Sequence, residues 1–324
     1  VWGVGAWGEK HARVYHAIED AELVGVHDHH PGRAAEVAER HGCRAFETAD
    51  ELLRACEAVS IAVPTVAHRE AVLAGARVGC AMLVEKPMAA TVSEADAMIE
   101  AARSAGVRLE VGQVERFNPA LLAVRPHLRG PKFIECHRMA MFQPRSLDID
   151  VVFDLMIHDL DAVIDIVGAA PATISAVGVA VLSENEDIAN ARLEFPDGCV
   201  ANLTASRVSQ ERLRRIRFFT DDRYVSVDLF AKSGEMLEVD VPRLRAARAH
   251  PLAALGAITR VKIEPQTGEP LELELRAFLR SVRGEGPGAA SAEAGRSALA
   301  VAEEIRAAMK RRARQWTTLS NAAS

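Results

Sequence analysis

The first 115 residues alternate short apolar runs with stretches of helical spacing. Residues 23–27, 58–63, 81–84 and 109–111 are apolar runs of strand length, and Pro64 ends the second. Continuous runs of this kind read as strands buried on both faces, as in a parallel sheet. Between the last two, Thr91 and Glu94 form a capping-box pattern, and Val92, Ala95, Met98, Ile99 and Ala102 recur at helical spacing up to a stop at Gly106. Repeated strand–helix alternation predicts an α/β fold with a doubly wound parallel sheet. Only Val1 and Trp2 precede Gly3, fewer than the about five residues of a typical strand, so the first strand is expected to begin upstream of Val1.

From about residue 130 the pattern changes. Residues 173–182, 189–195, 199–205, 224–229 and 236–241 are strand-like, and Pro196-Asp197-Gly198 supplies a tight turn between two of them. They predict an open, mostly antiparallel sheet, accompanied by one helix at about 152–167. Leu275, Phe278, Leu279 and Val282 mark a further helix. Leu299, Ala302, Ile305 and Met309 share one face of a last helix at about 291–312. That amphipathic face must be buried, and the first domain is one place that could receive it. The Ala/Arg/Pro-rich stretch at about 242–258 is expected to be a loop. The boundaries that follow are a first domain over 1–115 and a second over 116–290.

Composition narrows the function classes. Hydrophobic residues make up 49% and charged residues 26%, with net charge −6. That is ordinary for a soluble globular chain and gives no electrostatic case for a nucleic-acid partner. Basic runs such as Arg212-Leu213-Arg214-Arg215 and Lys310-Arg311-Arg312 read as solvated faces. Five scattered cysteines without a C-x-x-C are neither a disulfide framework nor a zinc site, and they suit a reducing cytoplasm. No apolar run has the length of a membrane span, so no membrane partner is expected.

The candidate chemistry starts at Gly3-Val4-Gly5-Ala6-Trp7-Gly8. In a strand–turn–helix unit, Gly3 permits the tight turn, Gly5 lets backbone approach a pyrophosphate, and Gly8 lets helix and strand pack closely. The helix N-terminus then offers N–H donors to the phosphates. Asp28, twenty residues past Gly8, stands where a carboxylate accepts from the adenosine ribose and repels a 2′-phosphate, which favours NAD over NADP. Val63, Pro64, Thr65 and His68 follow a strand end, where open α/β sheets bind ligands. Thr65 is equally suited to cap the next helix, and a surface position is the plain alternative for His68. Glu85-Lys86-Pro87 places a lysine at another strand end, with the backbone before the proline restricted to extended geometry. A half-buried lysine can take part in proton transfer, although most lysines are solvated surface charges. Asp154 and His158 are spaced i, i+4 on a predicted helix and share a face. His158 suits a general base and Asp154 its partner. Asp159 and Asp161 raise a metal-site alternative, for which one histidine among spread carboxylates is thin support.

Taken together, the Gly3–Gly8 fingerprint, Val63-Pro64-Thr65 with His68, Glu85-Lys86-Pro87, and Asp154 with His158 resemble the Gfo/Idh/MocA family of NAD(P)-dependent oxidoreductases, over essentially the whole chain. The resemblance implies an N-terminal Rossmann domain and a C-terminal α/β domain whose open sheet often forms a homodimer or homotetramer interface. It implies Lys86 and His158 as catalytic residues assisted by Asp154. Gly3, Gly5, Ala6, Trp7, Gly8, Asp28, Val63, Pro64, Thr65, His68, Glu85, Lys86 and Gln113 are implied around NAD. Gln113 departs from the histidine or tyrosine of many relatives. A narrower likeness runs through residues 114–119, 153–159, 187–192 and 202–207. These stretches resemble family members that oxidise the 3-hydroxyl of UDP-N-acetylglucosamine. In that reading Arg116, Asn118 and Arg145 are candidates to hold the substrate, with surface or interface roles as the alternative for each. A free-sugar or inositol dehydrogenase, and a non-catalytic dinucleotide sensor, are the competing expectations.

Overall fold

A computed structural model of the protein describes residues 1–143, 149–246 and 255–323. They divide into two compact units, Val1–Phe117 with Gly268–Leu299, and Asn118–Thr267 with the C-terminal residues from Ala300.

In the first unit, β1 (Gly25–Val26) pairs in parallel with β2 (Arg44–Ala45), and β3 (Ala58–Ile61), β4 (Ala81–Glu85) and β5 (Leu109–Gly112) form a second parallel set. Trp2 joins the two sets through parallel bridges to His27 and Ile61. Helices α1 (Gly8–Ala17), α2 (Pro31–Arg40), α3 (Ala49–Ala55), α4 (His68–Val78) and α5 (Val92–Ala105) alternate with the strands. This is the doubly wound arrangement that the apolar runs predict. The run at 23–27 keeps regular pairing only at Gly25–Val26.

At α5, the Thr91 hydroxyl accepts from the Glu94 N–H at 3.2 Å, while the Glu94 carboxylate takes the Ala90 N–H at 3.1 Å. The cap is thus shifted by one residue from the reciprocal box that the spacing suggests. Gly106, at φ +68°, ends the helix in the left-handed region where only glycine is unstrained.

Val4, Val14, Ile18, Val26, Val37 and Leu83 share a core with Leu271, Leu275 and Phe278 of the Pro270–Val282 helix. The boundary at 290 is therefore corrected, because this helix belongs to the first unit. Periodicity shows that a helix has an apolar face but not which core receives it. The short strand Ala290–Ser291 closes antiparallel against β5. The C-terminal helix, Ala292–Ala323, gives its residues to Leu299 to the first unit and the remainder to the second.

The second unit holds one eight-stranded sheet. Its strands are β6 (Phe133–Met139), β7 (Thr173–Val179), β8 (Ile188–Glu194), β9 (Val200–Ser206), β10 (Leu213–Phe219), β11 (Arg223–Asp228), β12 (Ser233–Val239) and β13 (Ile258–Ile263). They lie in the order β13-β12-β11-β10-β6-β9-β8-β7. Every neighbouring pair is antiparallel except β6 and β9. Helices α6 (Pro119–Val124), α7 (Ile157–Val167) and α8 (Val241–Ala246) accompany it. The expected loop at 242–258 thus begins as helix, and residues 247–254 lie outside the described ones.

Strands β6 and β10 hide in the sequence behind charge. In β10, Ile216 and Phe218 face the core while Arg215 and Arg217 face away; in β6, Ile134 and Cys136 are buried together with Arg138. A buried arginine breaks the apolar alternation, and its partner lies elsewhere in the chain.

Candidate active site

The glycine fingerprint folds into a cradle with an open tip. Gly3 has φ +83°, and a Cβ there would come 2.7 Å from the Val63 amide nitrogen. A Cβ on Gly8 would collide with the Gly3 carbonyl. A Cβ on Gly5 would meet no atom within 4 Å, so the space above it is clear, and Gly5, Ala6 and Trp7 are exposed. Two glycines are needed by the fold and the third faces open space, which is the division of labour a bound pyrophosphate requires. Helix α1 starts there without a side-chain N-cap. The residues therefore fit a dinucleotide.

Asp28 accepts from the Val4 N–H at 2.8 Å and from the His30 N–H at 2.9 Å, one bond to each oxygen, which fixes the carboxylate beside the loop. Arg33, the cation nearest in sequence, donates to the Val4 carbonyl at 2.9 Å and pairs with Glu9 and Glu36. Its charge is already matched by carboxylates.

Lys86 is half-buried at the end of β4, and the Lys86–Pro87 peptide is cis. Around it the side chains hold the fold rather than face solvent. Glu85 Oε1 lies 2.9 Å from His11 Nε2, and Glu85 Oε2 accepts from the Lys86 N–H at 3.3 Å. Its carboxylate occupies the space a side chain on Gly112 would need. His68 is only 1% exposed, with Nε2 2.9 Å from the Val63 carbonyl and Nδ1 3.1 Å from that of Pro87. Burial pushes its pKa below the ordinary histidine value, and the carbonyl acceptors oppose that shift in part. The expectation of cofactor contact at His68 is corrected, because the ring is buried with both nitrogens facing backbone carbonyls. Thr65 opens a single 3-10 turn, Thr65–Ala67, and caps neither it nor α4 through its side chain. The capping alternative is corrected with it, since the extra turn moves the start of α4 to His68.

Gln113 is buried at the exit of β5, where its carbonyl accepts from the Arg116 N–H at 3.0 Å. Arg116 is half-buried on the 3-10 turn Val114–Phe117. Asn118 is 3% exposed. Its Oδ1 caps the Ala120 N–H at 3.1 Å and its Nδ2 donates to the Leu229 carbonyl at 3.0 Å. Asn118 is thus a helix cap whose carboxamide is held inside the second unit, and this corrects the expectation that it contacts substrate. Arg145 lies outside the described residues.

The second unit presents Asp154 and His158 on a helix that is not regular throughout. Val152–Met156 is π-wound, with the Ile157 N–H donating to the Val152 carbonyl five residues back, and α7 follows directly. Wider turns of this kind recur at functional sites. Asp154 sits in the π turn and His158 in the first turn of α7, and both are half-buried. Asp150 starts the segment: its Oδ1 accepts from the Val152 and Phe153 N–H groups at 3.0 and 3.2 Å. Burial pushes its carboxyl above the usual range, and these donors only partly offset that.

Asp159 is not available as a ligand. Arg138 on β6 holds it in a buried fork of 2.9 and 2.7 Å, which ties α7 to the sheet. Asp187 accepts from the Val181, Leu182 and Ser183 N–H groups and from Arg207 Nε, while Arg207 also donates to the Ile149 carbonyl. Burial alone would raise the Asp187 carboxyl, but these donors outweigh it and hold the group well below the usual carboxylate range.

Sequence reasoning does not find His11, Asp150 or Arg138. The one available signal was position: His11 falls one turn into the helix after Gly8, on its buried side. Among the described residues no helix is long and apolar enough to cross a membrane, and no group of three or more His, Cys, Asp or Glu side chains gathers as a metal site.

Residues 1–113 match the Gfo/Idh/MocA model described as an oxidoreductase family with an NAD-binding Rossmann fold, and residues 121–226 match the Gfo/Idh/MocA C-terminal domain. The chain is 39% identical over 311 residues to a UDP-N-acetylglucosamine 3-dehydrogenase of Acidithiobacillus ferrooxidans, covering 96% of each. It is 26% identical over 318 residues to a myo-inositol 2-dehydrogenase of Thermotoga maritima, covering 92% of each. A solved structure of the Acidithiobacillus enzyme superposes with a TM-score of 0.86 at 38% identity, covering 95% of both chains. An NAD-binding protein from Listeria innocua, at 19% identity and a TM-score of 0.80 over 96% of this chain and 94% of its own, shares the fold.

Proposed function

Since the chain belongs to the Gfo/Idh/MocA family of NAD-binding oxidoreductases, we propose that it oxidises the 3-hydroxyl of UDP-N-acetylglucosamine to a ketone. The observation that carries the substrate is the 39% identity spanning 96% of both chains with an enzyme of that activity. NAD, when bound, supplies the acceptor for the hydride that leaves the carbinol carbon. The glycine cradle and Asp28 hold it. His158 takes the hydroxyl proton as general base, and Asp154, one turn away on the same segment, orients the imidazole. Lys86 donates to the hydroxyl oxygen and lowers the cost of its deprotonation. Arg116 is the remaining described candidate for the diphosphate, which a guanidinium binds through paired hydrogen bonds. The five cysteines are free thiols and suit a reducing cytoplasm.

A myo-inositol activity is the second reading, supported by a relative that also spans most of the chain. The test is NADH formation with UDP-N-acetylglucosamine, UDP-glucose, myo-inositol and glucose offered separately. Turnover restricted to the N-acetylated nucleotide sugar is expected, with oxidation located at C3 by product analysis. Turnover of inositol without turnover of any nucleotide sugar would reject the proposal.

A further inference from the structure

The turn that carries Lys86 is gripped from both sides by buried histidines that arrive on different helices. On the upstream side, His11 of α1 is fully buried, and its Nε2 lies 2.9 Å from Glu85 Oε1. The Glu85 carboxylate is also backed by Gly112 of β5, the position at which any side chain would displace it. On the downstream side, His68 opens α4. Its Nδ1 faces the carbonyls of Pro87 at 3.1 Å and Met88 at 3.3 Å, and its Nε2 faces Val63 at 2.9 Å. Val63 leaves β3 and Pro87 leaves β4, so one imidazole spans the exits of two adjacent parallel strands.

The His68 ring is not arranged like a ligand contact. Carbonyl oxygens only accept, and a histidine offers one N–H when neutral and two when protonated. His68 therefore satisfies at least one exit loop in either state and links both only through its two nitrogens. The pairing of α1 with Glu85 also makes the glycine cradle and the lysine turn parts of one hydrogen-bonded frame, because α1 is the helix that begins at Gly8.

We propose that His68 and His11 are positioning residues for Lys86: they fix the backbone on either side of it and so set where its amine stands. The proposal rests on the reading of Lys86 as a proton-handling residue. A side chain with four rotatable bonds places its amine reproducibly only if its backbone is held. His68→Ala removes the ring from between the two strand exits and takes away its N–H donor. His68→Gln keeps an N–H donor on a flexible stem. His11→Gln keeps a donor toward Glu85.

The experiment compares wild type, His68→Ala, His68→Gln, His11→Gln and Lys86→Ala. The readouts are kcat, the Kd for NAD from tryptophan fluorescence, and the pH at which the Lys86 amine is half-acetylated, read by mass spectrometry in the NAD-bound protein. His68→Ala is expected to lower kcat by roughly tenfold or more, with the NAD Kd changed by less than about threefold. The acetylation midpoint of Lys86 is expected to move by about half a pH unit or more, and His68→Gln to recover part of both effects.

Unchanged kcat and midpoint in His68→Ala, beside a dead Lys86→Ala, overturns the positioning role and leaves the function standing. A fully active Lys86→Ala overturns the role of Lys86. The acetylation midpoint needs no substrate, so it then judges the histidines separately. Lost thermal stability and lost NAD binding with an unmoved midpoint also overturns the proposal. If His68→Ala does not fold, the two glutamine variants carry the same readouts.

Discussion

Asp28 fixes the loop geometry and is proposed to set cofactor choice, and substitutions separate the two. Its oxygens already accept from Val4 and His30, so Asp28→Ala loosens the cradle and removes the carboxylate offered to the ribose. Hydrogen bonds to charged groups contribute about 1.5–3 kcal/mol, which is roughly tenfold to hundredfold in Kd. Asp28→Ala should therefore weaken NAD by about that factor and NADP by less. Asp28→Asn retains an acceptor oxygen without the charge, and should narrow the preference with a smaller loss of stability. Parallel fluorescence titrations with both cofactors decide it, and an unchanged ratio in both variants removes the electrostatic account. At the proposed catalytic residues, Lys86→Ala and His158→Ala should each reduce turnover by about 10²–10⁴ while NAD binding stays nearly intact. Full activity in either variant would withdraw that residue from the mechanism. The fingerprint is legible as sequence, and Lys86 and His158 stand out there as candidates, because such chemistry depends on residue type at short spacing. The roles of His68 and Asn118 are not, because a histidine or asparagine at a helix start reads the same whether it faces solvent, a ligand or a carbonyl.

Two buried ion pairs secure the elements that lead to Asp154 and His158. Arg138 on β6 fixes α7 through Asp159, and Arg207 after β9 fixes the approach to the π turn through Asp187 and the Ile149 carbonyl. Removing one partner of a buried pair leaves an uncompensated charge and costs about 3–5 kcal/mol. Arg138→Met should therefore destabilise by roughly that amount in urea unfolding, whereas replacing both partners with apolar residues should recover most of it. A cost near zero for Arg138→Met would mean that the fork contributes nothing.

Asp187 adds a pH dependence. Its folded carboxyl is held below the unfolded value near 3.9. The fold thus favours the ionised form, so the contribution is fully present above about pH 4 and is lost as pH falls toward the folded value. Asp187→Asn should be less stable near neutrality and should lose less of its remaining stability on acidification to about pH 3. Parallel losses in both proteins would assign acid sensitivity to other groups. These pairs also explain which elements the pattern conceals. Buried Arg138 disguises β6, and half-buried Arg215 and Arg217 disguise β10, whose other face carries Ile216 and Phe218. A period of two survives in both, but its polar members find partners far along the chain.

At the scale of the whole molecule, the chain enters the second unit after Phe117, returns to the first for Gly268–Leu299, and leaves again within its last helix. The outer face of the sheet in the second unit carries Phe133, Phe219 and Tyr224 in ring contact, beside the Arg217–Glu135 pair at 2.6 Å. An aromatic patch with matched charges is the kind of surface that self-association covers. We expect a homodimer or homotetramer through this face, which light scattering after size-exclusion chromatography will show as two or four times the chain mass. Arg217→Glu, which sets like charges opposite each other with Glu135, should shift the assembly toward monomer, and a wild-type monomer at micromolar concentration would refute the expectation. The sequence by itself determined the doubly wound alternation, the dinucleotide cradle and the family, since each is written in residue types a few positions apart. Tertiary structure alone decided that the Pro270–Val282 helix completes the first core, that β6 lies parallel to β9, and that His11 and His68 hold the lysine turn. Those outcomes depend on which distant surfaces and polar groups satisfy one another, and local periodicity carries no record of that pairing.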